Sequence, residues 1–193
     1  HALTGVEPDR ILRLAMLFHD IGKPATLKAD EEGITHFHGH NVTGREMTHQ
    51  ILKRLRFDND TIHKVCRLVM YHDYGNSVIP DMRIVRRAVN RIGEDIFPLL
   101  FVIKRADVGA QSDYLRQEKL ELVDKWQELY EQVMAENQCV SLKTLAVTGR
   151  DLIACGCRPG PELGEKLQAL LELVLEHPQY NTRECLLREL KKL

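Results

Sequence analysis

No run of about 18 apolar residues occurs, so no membrane-crossing helix is expected, and no basic-then-apolar leader with a small-residue cleavage site is visible. Cysteine pairs of the CxxC type are also missing. The five cysteines (Cys66, Cys139, Cys155, Cys157 and Cys185) are odd in number and fit reduced thiols better than a disulfide frame or a zinc knuckle. Cys155-Gly156-Cys157 comes nearest to a soft-metal motif and reads as small residues at a helix end. An excess of either charge is lacking too: 27 Lys and Arg stand against 28 Asp and Glu, a formal charge of -1. No global field would hold a polyanion, and any nucleic-acid contact has to be a local patch. Together these absences give the expectation of a cytoplasmic protein. The chain opens on His1 rather than Met, which reads as a fragment or a processed chain.

Alternating, β-branched strand patterns are scarce as well, and what replaces them is helical periodicity almost throughout. The spacing predicts an all-α fold, with helices near 8–20, 41–56, 59–72, 81–92, 94–110, 113–136, 148–155, 162–176 and 182–192. Short oxygen side chains suited to free first-turn amides stand at several starts: Asp58 or Asn59, Asp81, Thr148, and Asn181 or Thr182. The polar segment 28–39 reads as an exposed loop feeding into His40, with Pro24 halting the preceding helix. After Glu136-Asn137 the character shifts. We therefore expect a domain over 1–137 and a small helical C-terminal subdomain over 138–193.

Within this helical frame the placement of polar residues is unusual. The greasy run Ile11-Leu12-Arg13-Leu14-Ala15-Met16-Leu17-Phe18 ends in His19-Asp20, and buried polar groups are costly unless something pairs them. His40 begins another predicted helix, His72-Asp73 end a third, and Asp107 sits late in a fifth. Helix ends gathered at one rim of a bundle can aim imidazole nitrogens and carboxylate oxygens at a common point. Such a nitrogen-and-oxygen set without thiolate suits magnesium, manganese, nickel, iron or zinc. Lys23 follows Asp20 by three residues and could place a positive charge near a phosphate; a solvated lysine at a helix end is the alternative. Arg83, Arg86, Arg87 and Arg91 recur at three- and four-residue spacing, so they read either as a phosphate- or RNA-binding stripe or as a solvated face paired with nearby acids.

His19-Asp20 with Ile21-Gly22-Lys23 resembles the signature of the HD-domain superfamily of metal-dependent phosphohydrolases. The resemblance implies a divalent metal, one ion or two, held by a first histidine matched by His1, by the doublet His19-Asp20, by the distant Asp107, and by His40 and His72. A closer resemblance covers nearly the whole chain. Arg13 to Pro24, His36-Phe37-His38-Gly39-His40, Leu145 to Ile153 and Pro159 to Gly164 resemble the C-terminal half of bacterial tRNA nucleotidyltransferases of the CCA-adding and poly(A) polymerase family. That family's nucleotidyltransferase domain, with its Gly-Ser pair and catalytic Asp-x-Asp, is not among these residues.

Two functions follow as expectations. One is metal-dependent hydrolysis of a phosphomonoester, a 2',3'-cyclic phosphate or a nucleotide, with Asp20 orienting the nucleophile and Lys23 beside the phosphate. The other is a non-catalytic body that holds tRNA. No membrane partner is expected, and the oligomeric state stays open.

Overall fold

The computed structural model describes residues 2–193 and is all-α, with a single two-stranded pairing. Its elements are α1 (Arg10–Phe18), α2 (Lys23–Thr26), β1 (Lys28–Ala29), β2 (Thr35–His36), α3 (His40–Arg54), α4 (Asn59–Tyr71), α5 (Met82–Ile92), α6 (Phe97–Ala110), α7 (Arg116–Ala135), α8 (Gly149–Ala154), α9 (Pro161–Glu176) and α10 (Arg183–Leu190). The chain divides into two compact units. One comprises the chain up to Ile79 together with Ile92–Gln127; the other comprises Pro80–Arg91 together with Glu128–Leu193.

The expected caps form for the expected reason. Asp58 accepts from the Thr61 amide, Asp81 from that of Ile84, and Thr182 from that of Cys185, while Thr148 and Asp151 close a reciprocal capping box. Two local expectations are corrected. Pro24 does not stop the chain from being helical: it sits in the first turn of α2, where a missing amide costs nothing. The segment 28–39 is not wholly loop, because Lys28 pairs with His36 and Ala29 with Thr35 in an antiparallel register. Asp30 fastens that hairpin by accepting from the Glu32 and Ile34 amides and holding His36 at 2.9 Å.

In the first unit α3 lies along α4, and α1 packs on both α4 and α6. Leu52, Val65, Leu68, Val69, Ile96, Leu100 and Ile103 are almost completely buried there, each contributing about 1.5–3 kcal/mol of hydrophobic stabilisation. The contact of α2 with α3 is unusually close. A Cβ at Gly22 would lie 2.1 Å from the His40 carbonyl oxygen and 2.7 Å from the Gly44 amide. Glycine at 22 thus lets the turn after His19-Asp20 press against the start of α3. Asn41 adds a second tie, donating to the Met70 carbonyl at 3.1 Å, which brings the start of α3 to the end of α4.

The second unit has its own core of Val147, Leu152, Leu170, Leu171, Val174, Leu175 and Leu186, drawn from α8, α9, α10 and the approach to α8.

Candidate metal centre

His19 and His72 each follow the last residue of a helix, α1 and α4, and His40 opens α3. All three rings are fastened in the same way. Nδ1–H of His19 donates to the Met16 carbonyl at 2.8 Å, that of His40 to Phe37 at 2.9 Å, and that of His72 to Val69 at 2.8 Å. A carbonyl only accepts, so each of these nitrogens carries a proton, and in the neutral ring Nε2 is left with its lone pair. The Nε2 atoms of His40 and His72 then face one another at 3.3 Å. Two lone pairs at that distance repel unless a proton or a cation lies between them.

Asp20 completes the arrangement with both oxygens. Its Oδ1 is buried without a hydrogen-bond partner among the described residues, and lies 3.6 Å from Nε2 of His72 and 3.9 Å from Nε2 of His40. Its Oδ2 turns the other way, 3.2 Å from Nε2 of His19 and 2.5 Å from Nζ of Lys23. His19 Nε2 is also 3.4 Å from Asp107 Oδ1. Asp20, His40 and His72 offer one oxygen and two nitrogens, all within 4.8 Å of one another. That donor set fits a divalent ion of the manganese, iron, nickel or zinc type, and a cation would satisfy both the orphaned oxygen and the opposed lone pairs.

The electrostatics are consistent with a site arranged around positive charge. Burial works against a charged His19, but Asp107, Asp20 and the Met16 carbonyl outweigh it and push the imidazole up to about 10. Burial likewise opposes the charge on Asp20, yet His19, His72 and Lys23 hold its carboxyl well below the usual range. Asp107 is held low by His19 and Gln111 against the same opposition.

The structure therefore gathers His19, Asp20, Lys23, His40, His72 and Asp107 into one cluster. His1 lies outside the described residues. Lys23 lies against the Asp20 carboxylate and over the Phe37 ring, 5.8 Å from its centroid. The arginine stripe of α5 belongs to the other unit. Arg86 is only 4% exposed and donates to the Leu175 carbonyl and to Gln138 Oε1, both at 2.8 Å. Arg83 and Arg87 pair with Glu176, and Arg87 also with Glu172. Arg91 is exposed.

Two residues of the cluster's surroundings were given no role from the sequence. Asp73 Oδ2 lies 3.9 Å from Nε2 of His40. Lys104 is half-buried beside Asp73 and Asp107, and burial pushes its ammonium down to about 8. The available signal for Lys104 was its place three residues before Asp107, close to one helical turn.

Comparison with known proteins identifies the family of the chain. The family described as tRNA nucleotidyltransferase domain 2 matches residues 26–190. The chain is 34% identical over 181 residues to the A-adding tRNA nucleotidyltransferase of Deinococcus radiodurans, a match covering 89% of this chain and 40% of that protein. It is 32% identical over 166 residues to the CC-adding tRNA nucleotidyltransferase of Thermus thermophilus, covering 85% of this chain and 36% of that protein. The chain thus spans well under half the length of these relatives. No solved structure matches it.

Proposed function

The chain belongs to the tRNA nucleotidyltransferase family, and from that premise we propose that its histidine cluster is a divalent-metal site of the HD phosphohydrolase type, carried on the helical body of a tRNA-processing protein. The observation that carries this reading is the pair of Nε2 atoms 3.3 Å apart, each with its Nδ1 proton already donated to a carbonyl, beside a buried carboxylate oxygen that has no hydrogen-bond partner among the described residues. His40, His72 and Asp20 Oδ1 would hold the ion. Asp20 Oδ2, His19 and Asp107 form an adjoining set of donors that would hold a second ion.

The chemistry such an ion would supply is polarisation of a phosphoryl oxygen and a lower pKa for water, from about 15.7 toward neutrality. The protein's own part is orientation. The carbonyl hydrogen bonds fix the tautomer and ring plane of each ligand, which raises the basicity of the free nitrogen. His19, His72 and Lys23 together keep Asp20 ionised, and Lys23 adds positive charge at the rim. The substrates suited to this chemistry are phosphomonoesters, 2',3'-cyclic phosphates and nucleotides. Protein supplied with manganese, nickel or magnesium is expected to bind metal and release phosphate. His72→Ala and Asp20→Asn should abolish both while the helical circular-dichroism spectrum is retained. Full metal content and phosphate release in those variants would overturn the assignment.

A second reading, a surface that holds tRNA, is favoured by the distribution of cations. Arg45, Lys53, Arg54 and Arg56 are exposed on and just beyond α3, and none has a carboxylate partner among the described residues. Arg83 and Arg87, by contrast, already face acids. Replacing Arg45, Lys53 and Arg54 together should weaken tRNA binding and flatten its salt dependence, since each lost phosphate contact removes counterion release. An unchanged salt slope would sink this reading.

A further inference from the structure

Cys155 and Cys157 take no part in the metal cluster and stand in the second unit, where α8 ends. The turn that joins them is fixed by two amide donors, Gly156 to the Ile153 carbonyl at 2.9 Å and Cys157 to that of Leu152 at 3.1 Å. Gly156 occupies the left-handed region there, at φ +94°, which glycine adopts at no steric cost. Two residues of chain span at most about 7 Å when fully extended. A turned segment is shorter, so the two Cα atoms fall in the range of roughly 4.4–6.8 Å that a disulfide bridges.

The surroundings of the two thiols differ in a useful way. Both line one cleft, but Cys155 is exposed, whereas Cys157 is half-buried and packs against the core of α8, α9 and α10. An accessible thiol with a sheltered one beside it is the arrangement of an attacking and a resolving cysteine. The other three are placed otherwise. Cys66 belongs to the first unit, Cys139 is buried with its Sγ donating to the Ser141 carbonyl at 3.4 Å, and Cys185 stands on α10, its sulfur accepting from Arg188 at 3.5 Å. Arg158, Lys166 and Lys191 also line the cleft, against Glu162, which faces Lys166 at 3.6 Å. That excess of cations favours the approach of an anionic reagent.

We infer that Cys155 and Cys157 form a reversible dithiol–disulfide pair, oxidised by an anionic low-molecular-weight disulfide. The Cys155 thiolate attacks one sulfur of the reagent, whose S–S bond breaks and releases one thiolate. Cys157 gives up its proton and attacks the Cys155 sulfur of the mixed disulfide, displacing the second thiolate. The two protein thiols lose two electrons, the reagent gains them, and the two thiol protons pass to the departing thiolates. The bridge closes a loop of three residues, so constraint of the unfolded chain stabilises it little. Exposed bridges of that kind are the ones that thiols reopen.

Glutathione disulfide added to the reduced chain tests this by mass spectrometry. The tryptic peptide that holds Cys155 and Cys157, and no other cysteine, should lose two hydrogens and retain no glutathione, and excess reduced glutathione should restore both thiols. Cys157→Ser should stop at a glutathione adduct on Cys155, and Cys155→Ser should slow reaction at Cys157 at least about tenfold. Cys185→Ser should leave the bridge unchanged. Arg158→Gln combined with Lys191→Gln should slow oxidation by glutathione disulfide at least about threefold, and oxidation by the neutral hydroxyethyl disulfide by less than about 1.5-fold. A wild-type chain that stops at the glutathione adduct, a bridge made to Cys185 instead, a bridge that reduced glutathione does not reopen, or equal slowing with the two reagents would each overturn the inference.

Discussion

Replacing Gly22 by alanine tests whether the approach of α2 to α3 builds the metal cluster. Gly22 has ordinary helical dihedrals (φ -78°, ψ -16°), so an alanine there meets no backbone strain and on chain entropy alone would stabilise by about 0.4–1 kcal/mol. The new methyl group would instead lie 2.1 Å from the His40 carbonyl oxygen and 3.0 Å from its carbon. Both are backbone atoms that no rotamer change can move, so α3 has to retreat by roughly 1 Å or more. Overpacking of that kind costs about 3 kcal/mol, which outweighs the entropic gain. For a chain of this length the melting temperature should fall by about 6–12 °C. The retreat also carries His40 away from His72 and Asp20, so manganese or nickel affinity should drop by about 10- to 100-fold, as when a ligand's supporting contacts are lost. Thermal melts followed by circular dichroism and metal titration calorimetry read the two effects. Gly44→Ala is the companion control: its Cβ would stand 3.4 Å from the Gly22 amide and from Val69 Cγ1, ordinary contact distances, and alanine is favoured over glycine inside a helix by up to about 1 kcal/mol, so its melting temperature should not fall. Gly22→Ala with an unchanged melting temperature and unchanged metal affinity would refute the argument.

Three further outcomes are expected. Arg86→Met should destabilise by about 3 kcal/mol in denaturant unfolding, because it removes charge-assisted bonds from the Leu175 carbonyl and Gln138; Arg91→Ala should stay within about 0.5 kcal/mol of wild type, and equal losses would contradict the assigned roles. The Asp58 carboxyl is held below its usual range by the Thr61 amide and hydroxyl and by Arg10. A depressed folded pKa contributes stability that is present above the unfolded value of about 4 and is lost as pH falls through the folded value; Asp58→Asn should therefore show a shallower acid limb when unfolding is followed between about pH 2 and 6, and an identical limb would argue against it. Iodoacetamide at about pH 8 should modify exposed Cys155 first and Cys66 last in peptide mass spectrometry, since burial pushes the Cys66 thiol up to about 11; prompt labelling of Cys66 would contradict this.

The helices were legible because apolar spacing and capping residues are local. Asp58, Asp81, Thr148 and Thr182 act within four residues of where they stand, and the structure uses each of them as a cap. The hairpin Lys28–His36 was not legible, because its paired stretches are two residues long and polar, giving no alternation to read. Pro24 carried two meanings, helix terminator and first-turn residue, which only the three-dimensional path separates. For the candidate site, the doublet and the helix-end histidines were visible, but their shared Nδ1 bonds to carbonyls three residues earlier were not, since those depend on ring orientation. The α5 arginines show the limit most plainly. Arg86 and Arg87 are neighbours of one residue type, and one is buried while the other is exposed; an (i, i+3, i+4) pattern of one residue type cannot say which face the core will claim.

The second unit draws on two stretches of chain that lie far apart in sequence, and this has a consequence for biosynthesis. Arg86 finds the Leu175 carbonyl 89 residues further on, and Asn90 finds that of Val140 50 residues further on. At about 5–20 residues per second, α5 is synthesised roughly 4–18 s before the end of α9. Throughout that interval Val85, Ala88 and Val89, fully buried in the finished fold, have no completed unit to join. The nascent chain thus passes through a window in which the apolar face of an arginine-rich amphipathic helix is left uncovered until the rest of its unit has been made.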